Sequence, residues 1–544
     1  MTNNTEDKAQ KYYVLHVPGG GLHGILPIVS LKFLETMTGL PLSKQFNMSA
    51  GSSTGSIPLT ALNVPKSEES NEPRYSADDI LDFYKTIGPH IFPQRRGYYV
   101  RQMVMDLTKL AHGFFTALVD LTANKADKLL NFLVNGAGHQ AHKTVQRDKP
   151  YIPLDLRFFR NMHKWLFVPP NNRLKKGIDS LINHSLYDIS VLGRILDATL
   201  RYEDSNERVP LGKTLISHHV TAHNLTRDEP AIFFHFKDPQ TGATQFLSDK
   251  EMELDSVVLG SCAAQTIFKS PTLRNGETYV DIADFDTMRT PISSIDREAD
   301  KKLDIKLVTI GTGEKNTQID VEGMNSMLFL QQMIADLGGY LFGVRKRYIN
   351  KMADMDLKYR LGAENIIKVD LPLVQESLNQ DYLKDPRVPA IAEYMGVDLE
   401  TLNITELPST DLFNSRPENL RKLESIGWAM ALKNLDTLMP LCKELVENSV
   451  ALGHITEDSA KERIQLIDHF NSAATNKGLY PTPGQLHGPK RKQHWFTFEE
   501  VRQRSFKEKV TFLFKRAVGI EQDPVQPRPD TMPDQEGPKP PTVH

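Results

Sequence analysis

Two short glycine-rich stretches hold the residues best suited to chemistry. Gly19-Gly20-Gly21-Leu22-His23-Gly24 directly follows the apolar run Tyr12 to Val17, and Gly51-Ser52-Ser53-Thr54-Gly55 directly follows Phe46 to Ala50. Each reads as a strand, a tight turn and then a helix. The second fits the G-x-S-x-G pattern, in which small residues two before and two after the serine allow a turn sharp enough to push its hydroxyl out at a helix N-terminus. Unpaired N–H groups and a partial positive charge at that terminus suit an oxyanion. The triple glycine offers a second set of N–H groups that a substrate can approach without interference from Cβ. Ser53 as nucleophile, with Gly19, Gly20, Gly21 and Thr54 as oxyanion donors, would form the core of an acyl-transfer site. Gly51, Gly55, His23 and Gly24 are expected to support the two turns.

Either motif alone is a common pattern. The two in this order, about 30 residues apart, resemble the patatin-like phospholipase family, whose signature is G-G-G-x-(Arg/Lys)-G followed by a G-x-S-x-G elbow. The family's third signature is a catalytic Asp in a D-G-G/A turn more than a hundred residues later, and Tyr279-Val280-Asp281-Ile282-Ala283 matches it in place. Gly260-Ser261-Cys262-Ala263-Ala264 looks like the family's small-residue helix. Leu303 to Ile310 with Gly311-Thr312-Gly313 looks like its strand closing on G-T-G, and Asp411 to Ala431 like its closing helix. The resemblance covers about residues 12–435. It implies a Ser53–Asp281 dyad with Asp281 as base and no histidine. Three positions depart from the pattern: Pro18 stands where an Asp usually precedes the triple glycine, His23 replaces the basic residue, and Ile282 replaces the Gly after the Asp. Asp284 and Asp286 are alternative bases, and so, in a conventional triad, are His218, His219 and His223.

Composition leaves this chemistry room and narrows its setting. The chain has 544 residues, 40% hydrophobic and 24% charged, as in an ordinary globular protein large enough for more than one domain. A formal charge of −3 provides no global field toward nucleic acid, so no nucleic-acid partner is expected. Two cysteines, Cys262 and Cys442, make no disulfide framework. No His/Cys/Asp cluster has ligand spacing, so neither a metal nor a cofactor is expected. Met1 to Lys11 lacks an apolar core of signal-peptide type, and no apolar run approaches the roughly 18 residues that span a bilayer. These features predict a cytoplasmic protein that meets lipid from the surface, and leave open export without a Sec signal.

The elements that must position the site follow from periodicity. Gly24 to Met37 places Leu26, Val29, Phe33 and Met37 on one helical face. Two strand–helix units in so short a span predict a mostly parallel α/β sheet, with ligands bound at the carboxyl ends of its strands. Thr214 to Asn224 and Ala231 to Phe236 read as a strand pair, and Met324 to Lys351 as a helix. Tyr98 to Asn135 carries the stripe Met103, Leu107, Leu110, Phe114, Leu118 and Leu121. Because most members of the family it resembles need less chain between the elbow and the next core elements, the resemblance implies that about 95–170 is a helical insertion, either packed on the core or serving as an interfacial lid. Arg157 to Lys176 mixes aromatic and basic residues.

The expected division is 1–440 for a patatin-like acyl hydrolase domain, 441–519 for a helical C-terminal region and 520–544 for a Pro-rich tail. Within the second of these, Lys490 to Arg516 is a basic stretch with Phe506, Val510, Leu513 and Ala517 on one face, suited to an anionic membrane or to docking on its own domain. The fold expected is thus a three-layer α/β core with a helical insertion and a helical C-terminal extension. The function expected is a phospholipase A-type acyl hydrolase acting on phospholipid or another acyl ester at a membrane surface. The alternatives are an inactive lipid- or protein-binding relative, and an effector lipase needing a membrane or a protein activator.

Overall fold

The computed structural model describes residues 11–93, 187–238, 241–248, 252–264, 267–281, 303–313, 341–374, 379–409 and 412–472. The expected insertion (about 95–170), the Arg157–Lys176 stretch, Asp284, Asp286, the Lys490–Arg516 segment and the tail lie outside these residues.

Strand β1 (Lys11–Val17) is apolar along nearly its whole length, and all but its first residue is buried, the pattern of a strand covered on both faces. It is central in a sheet of eight strands. The others are β2 (Met48–Ser52), β3 (Ser217–Asn224), β4 (Glu229–Lys237), β5 (Thr244–Leu247), β6 (Tyr279–Val280), β7 (Asp304–Ile310) and β8 (Ile366–Val369), in the order β5-β4-β3-β2-β1-β7-β8, with β6 paired to β3. The five strands from β3 through β8 run parallel. β4, β5 and β6 join antiparallel, so the sheet is mixed around a parallel centre. β2 begins and ends two residues later than the Phe46–Ala50 reading.

Alternation along β1 separates two apolar layers. Tyr13, Leu15 and Val17 face the larger core. Tyr12 and Val14 face a smaller one with Met48, Phe234, Leu307 and Leu357. The larger layer holds α1 (Ile25–Thr38), which stops at Gly39 in the left-handed conformation (φ 64°), as a helix end with no Cβ to oppose it does. α2 (Ser56–Ala61) and α3 (Ala77–Ile91) follow. Then come α4 (Ile189–Thr199), α5 (Leu254–Ser261), α6 (Leu341–Leu361, on the smaller layer through Leu357), α7 (Arg387–Met395), α8 (Pro417–Lys433), α9 (Leu435–Ala451) and α10 (Glu457–Ser472). Pro417 at the start of α8 costs no hydrogen bond there.

The division expected after residue 440 falls inside α9. Leu438, Leu441, Leu445, Ile467 and Phe470 belong to the same core as β1 and α1. Polar ties also run from this segment to the β1–β2 region: Tyr13 Oη donates to Glu444 at 2.9 Å, and Asn448 Nδ2 donates to the Gln45 carbonyl at 2.8 Å.

Two histidines are built into the sheet. The ring nitrogens of His218 bond Ser49 Oγ (2.7 Å) and Thr60 Oγ1 (2.9 Å), and those of His235 bond Thr214 Oγ1 (2.6 Å) and Thr244 Oγ1 (3.0 Å). Burial, then the neighbouring His235, holds His218 down at about 3; burial, then Lys237, holds His235 at about 4. Both lie below the ordinary 6.5, so the unfolded chain takes up protons that the folded chain refuses. Stability is therefore full above about pH 6.5 and falls as the pH drops toward 4, by about 1.4 kcal/mol per pH unit for each histidine. Urea midpoints between pH 4.5 and 7.5 check this. A His218→Gln/His235→Gln double variant with the same slope as wild type would refute it.

Candidate active site

The register of the parallel strands brings the two glycine turns together. Val17 lies opposite Gly51, so the chain leaving β1 through Pro18 and the chain leaving β2 through Ser53 emerge side by side at the carboxyl end of the sheet. Ser53 has φ 50°, a left-handed conformation that costs a side-chain-bearing residue about 1–2 kcal/mol and marks a strained turn. The turn is held rather than loose. The Ser53 N–H donates to Ser261 Oγ at 2.9 Å, and Ser261 Oγ donates to the Thr221 carbonyl on β3 at 2.7 Å. The Ser53 carbonyl accepts from Ser56 Oγ at 2.6 Å and from Cys262 Sγ at 3.2 Å.

Glycine is needed on both sides of the turn. A Cβ on Gly51 would lie 2.9 Å from the Gly55 oxygen, and one on Gly55 would lie 2.1 Å from the Val17 oxygen. The elbow helix therefore packs directly on the end of β1. Gly20 and Gly21 are confined in the same way: Cβ atoms there would meet Thr312 Cβ and the Leu412 oxygen, both at 2.7 Å.

Hydrogen bonds sort the expected oxyanion donors. The Gly20 N–H points to the elbow and donates to Thr54 Oγ1 at 3.0 Å, so Gly20 is a tie between the two turns and its N–H is already engaged. The Leu22 N–H is taken by the Leu412 carbonyl at 2.8 Å. The Gly21 and Thr54 N–H groups belong to the first turns of the short helices Gly21–Gly24 and Ser53–Gly55, where a helix supplies its N–H groups no partner of its own. The far side of the loop is held by Thr312 Oγ1, which donates to the Gly19 carbonyl at 3.2 Å. His23 is buried, with Nε2 3.4 Å from the Ser409 carbonyl, a structural place beneath the turn. Pro18 carries no N–H, and its carbonyl packs close to Gly55.

β6 delivers Asp281. Val280 pairs with His223 on β3, and one step further Asp281 enters the site, where its N–H donates to the Ala263 carbonyl at 3.0 Å. It is 4% exposed. Burial, and next the Asp281 carboxylate, push the Cys262 thiol far above its ordinary range. That thiol stays protonated while it donates to the Ser53 carbonyl. Asp281, Cys262 and Ser53 thus form one cluster. The three histidines weighed as bases do not join it: His218 is bonded to Ser49 and Thr60, His219 sits edge-on to Phe234 at 5.5 Å, and His223 faces Asp228 at 3.2 Å in an outer turn.

Ser53, Thr54, Asp281 and Gly19–Gly21 line one cavity of about 280 Å³ whose remaining wall is largely apolar. Much of that wall comes from α3, which the sequence reading passed over. Its signals were the Ser76–Asp79 capping box, with both reciprocal bonds formed, and the buried stripe Ile80, Tyr84, Ile87 and Ile91. Tyr84 Oη donates to the Thr54 carbonyl at 2.8 Å and so ties α3 to the elbow. Among the described residues no His/Cys/Asp/Glu group could hold a metal ion, and no helix is long and apolar enough to cross a membrane.

A glycine-rich loop, a serine in a left-handed turn and a buried Asp thus meet around one largely apolar cavity at the carboxyl end of an α/β sheet. Residues 15–281 match the family model for patatin-like phospholipases. Patatin-like protein 2 of Oryza sativa subsp. indica is 34% identical over 100 residues, which are 17% of this chain and 24% of the rice protein. Patatin group M-2 of Solanum tuberosum is 33% identical over 121 residues, 19% of this chain and 31% of that one. The chain thus spans about a quarter to a third of the length of these relatives. Among solved structures it aligns with VipD from Legionella pneumophila at 13% identity and a TM-score of 0.26, over 96% of this chain and 94% of that one.

Proposed function

We propose that the protein is a phospholipase A-type lipid acyl hydrolase acting through a Ser53–Asp281 dyad. The observation that carries this reading is the single apolar cavity lined at once by Ser53 at φ 50°, by Asp281 and by the glycine loop. An ester carbonyl placed toward the N–H groups of Gly21 and Thr54 exposes its carbon to Ser53 Oγ. Asp281 takes the hydroxyl proton as the C–O bond forms, and the two N–H groups bind the tetrahedral oxyanion. The same carboxyl then protonates the departing alcohol. Water, deprotonated by Asp281, attacks the acyl-enzyme, and collapse returns the proton to Ser53. The apolar wall suits a fatty acyl chain, and the substrate is reached by peripheral association with a membrane.

The test is fatty-acid release from mixed phosphatidylcholine/phosphatidylglycerol vesicles, with and without a cell extract as a source of protein activator. Release together with a Ser53 acyl or fluorophosphonate adduct in the mass spectrum supports the reading. Absence of both under every condition would overturn it in favour of a lipid-binding relative.

A further inference from the structure

We propose that the Phe83 ring is the stop that sets how long an acyl chain the cavity accepts. The proposal rests on the acyl hydrolase reading and adds a specificity determinant to it. Phe83 and Ile57 belong to two walls at once. On one side they line the cavity that holds Ser53 and Asp281. On the other they line a second void between α2, α3 and α4, with Ala61, Tyr75, Ile80, Leu196 and Leu200. This void has room for only about 10 Å³, at the limit for one water molecule.

Its chemistry rules out a water site. The polar atoms at its rim are satisfied elsewhere: Tyr75 Oη donates to the Thr199 carbonyl at 2.6 Å, and Thr199 Oγ1 donates to the Ile195 carbonyl at 2.7 Å. What remains is aliphatic and aromatic surface, so the void is dry and suits methylene groups.

Position makes Phe83 the partition. Ile57 stands one helical turn beyond Ser53, so a chain bound at the serine and running along α2 reaches this wall first. Phe83 is half-buried beside Tyr84 (ring centroids 6.2 Å apart), and Tyr84 is fixed to the elbow through Thr54. Another part of the cavity wall is braced differently. Phe92 and Phe413, which line it, pack on each other at 5.1 Å and on Tyr187 at 5.1 and 6.1 Å, so removing one ring leaves two in place. Truncating Phe83 instead joins two apolar spaces that are now separate.

The test uses the full chain and p-nitrophenyl esters from hexanoate to myristate. Its readout is the ratio of kcat/KM for dodecanoate over hexanoate, which cancels any general loss of activity. Each methylene newly buried is worth about fourfold, so Phe83→Ala and the milder Phe83→Leu are expected to raise the ratio by about tenfold or more, Ala above Leu. Leu200→Phe added to Phe83→Ala refills the space and is expected to bring the ratio back down. A ratio unchanged within about twofold in folded Phe83→Ala and Phe83→Leu proteins overturns the proposal while leaving the hydrolase reading intact. If wild type cleaves none of the esters, the hydrolase reading fails separately. Calorimetric binding of hexanoate and dodecanoate by the same variants then decides the partition on the same ratio.

Discussion

Ser53→Ala is expected to lower fatty-acid release by about 10⁴-fold or more, and Asp281→Asn by about 10³-fold or more, with the apparent affinity for vesicles retained in both. Alanine can occupy the backbone conformation that serine already holds at φ 50°, so the first change removes the hydroxyl without moving the turn. Asparagine keeps the shape of Asp281 and removes the only carboxylate among the described residues that line the cavity. Because Asp281 is buried and its N–H is bonded to Ala263, the amide side chain should be accommodated with a thermal midpoint close to wild type. The two variants separate the nucleophile from the base. If Ser53→Ala abolishes release and Asp281→Asn keeps a tenth or more of it, the base is another group, and Asp284 and Asp286 are next to be changed. A burst of alcohol in rapid-quench experiments with wild type would place the slow step after acylation, where the same Asp281 has to activate water.

Much of this site could be read from sequence because its parts are local. A strand followed by glycine turns fixes where Ser53 stands and why Gly51 and Gly55 flank it, and the triple glycine announces a close backbone approach. What could not be read is which atoms the turns offer each other. The sequence does not say that the Thr54 hydroxyl faces the Gly20 N–H, and that contact changes Gly20 from an expected donor to a tie. The roles of Ser261 and Cys262 were hidden for the same reason. They lie more than two hundred residues from the elbow and meet it only because β3 runs beside β2 in the sheet and the end of α5 is tied to β3 there. α3 was legible and passed over, since its capping box and apolar stripe are local signals. The expected break after residue 440 had the opposite cause: a helix ending beyond the last motif looks like an extension until Leu441 and Leu445 are seen in the common core.

Gly55→Ala is expected to be the most damaging conservative change in the site. Its Cβ would stand 2.1 Å from the Val17 oxygen and 2.7 Å from the Pro18 oxygen. Both are backbone atoms at the end of the central strand, so neither can swing aside as a side-chain tip could. Relief requires β1 and the elbow helix to separate, which opens the oxyanion loop and loosens packing in the larger core. Overpacking of this kind costs about 1–3 kcal/mol where side chains yield, and more where backbone must move. A loss of more than about 3 kcal/mol in urea unfolding, or failure to fold, is therefore the expected result. Gly453→Ala supplies the comparison. Its φ of 73° is also left-handed, but a Cβ there meets nothing within 4 Å, so it should cost only the backbone term of about 1–2 kcal/mol and leave fatty-acid release unchanged. Equal losses in the two variants would mean that the elbow and β1 can part without penalty. The close approach that places Ser53 beside the glycine loop would then not be what holds the site together.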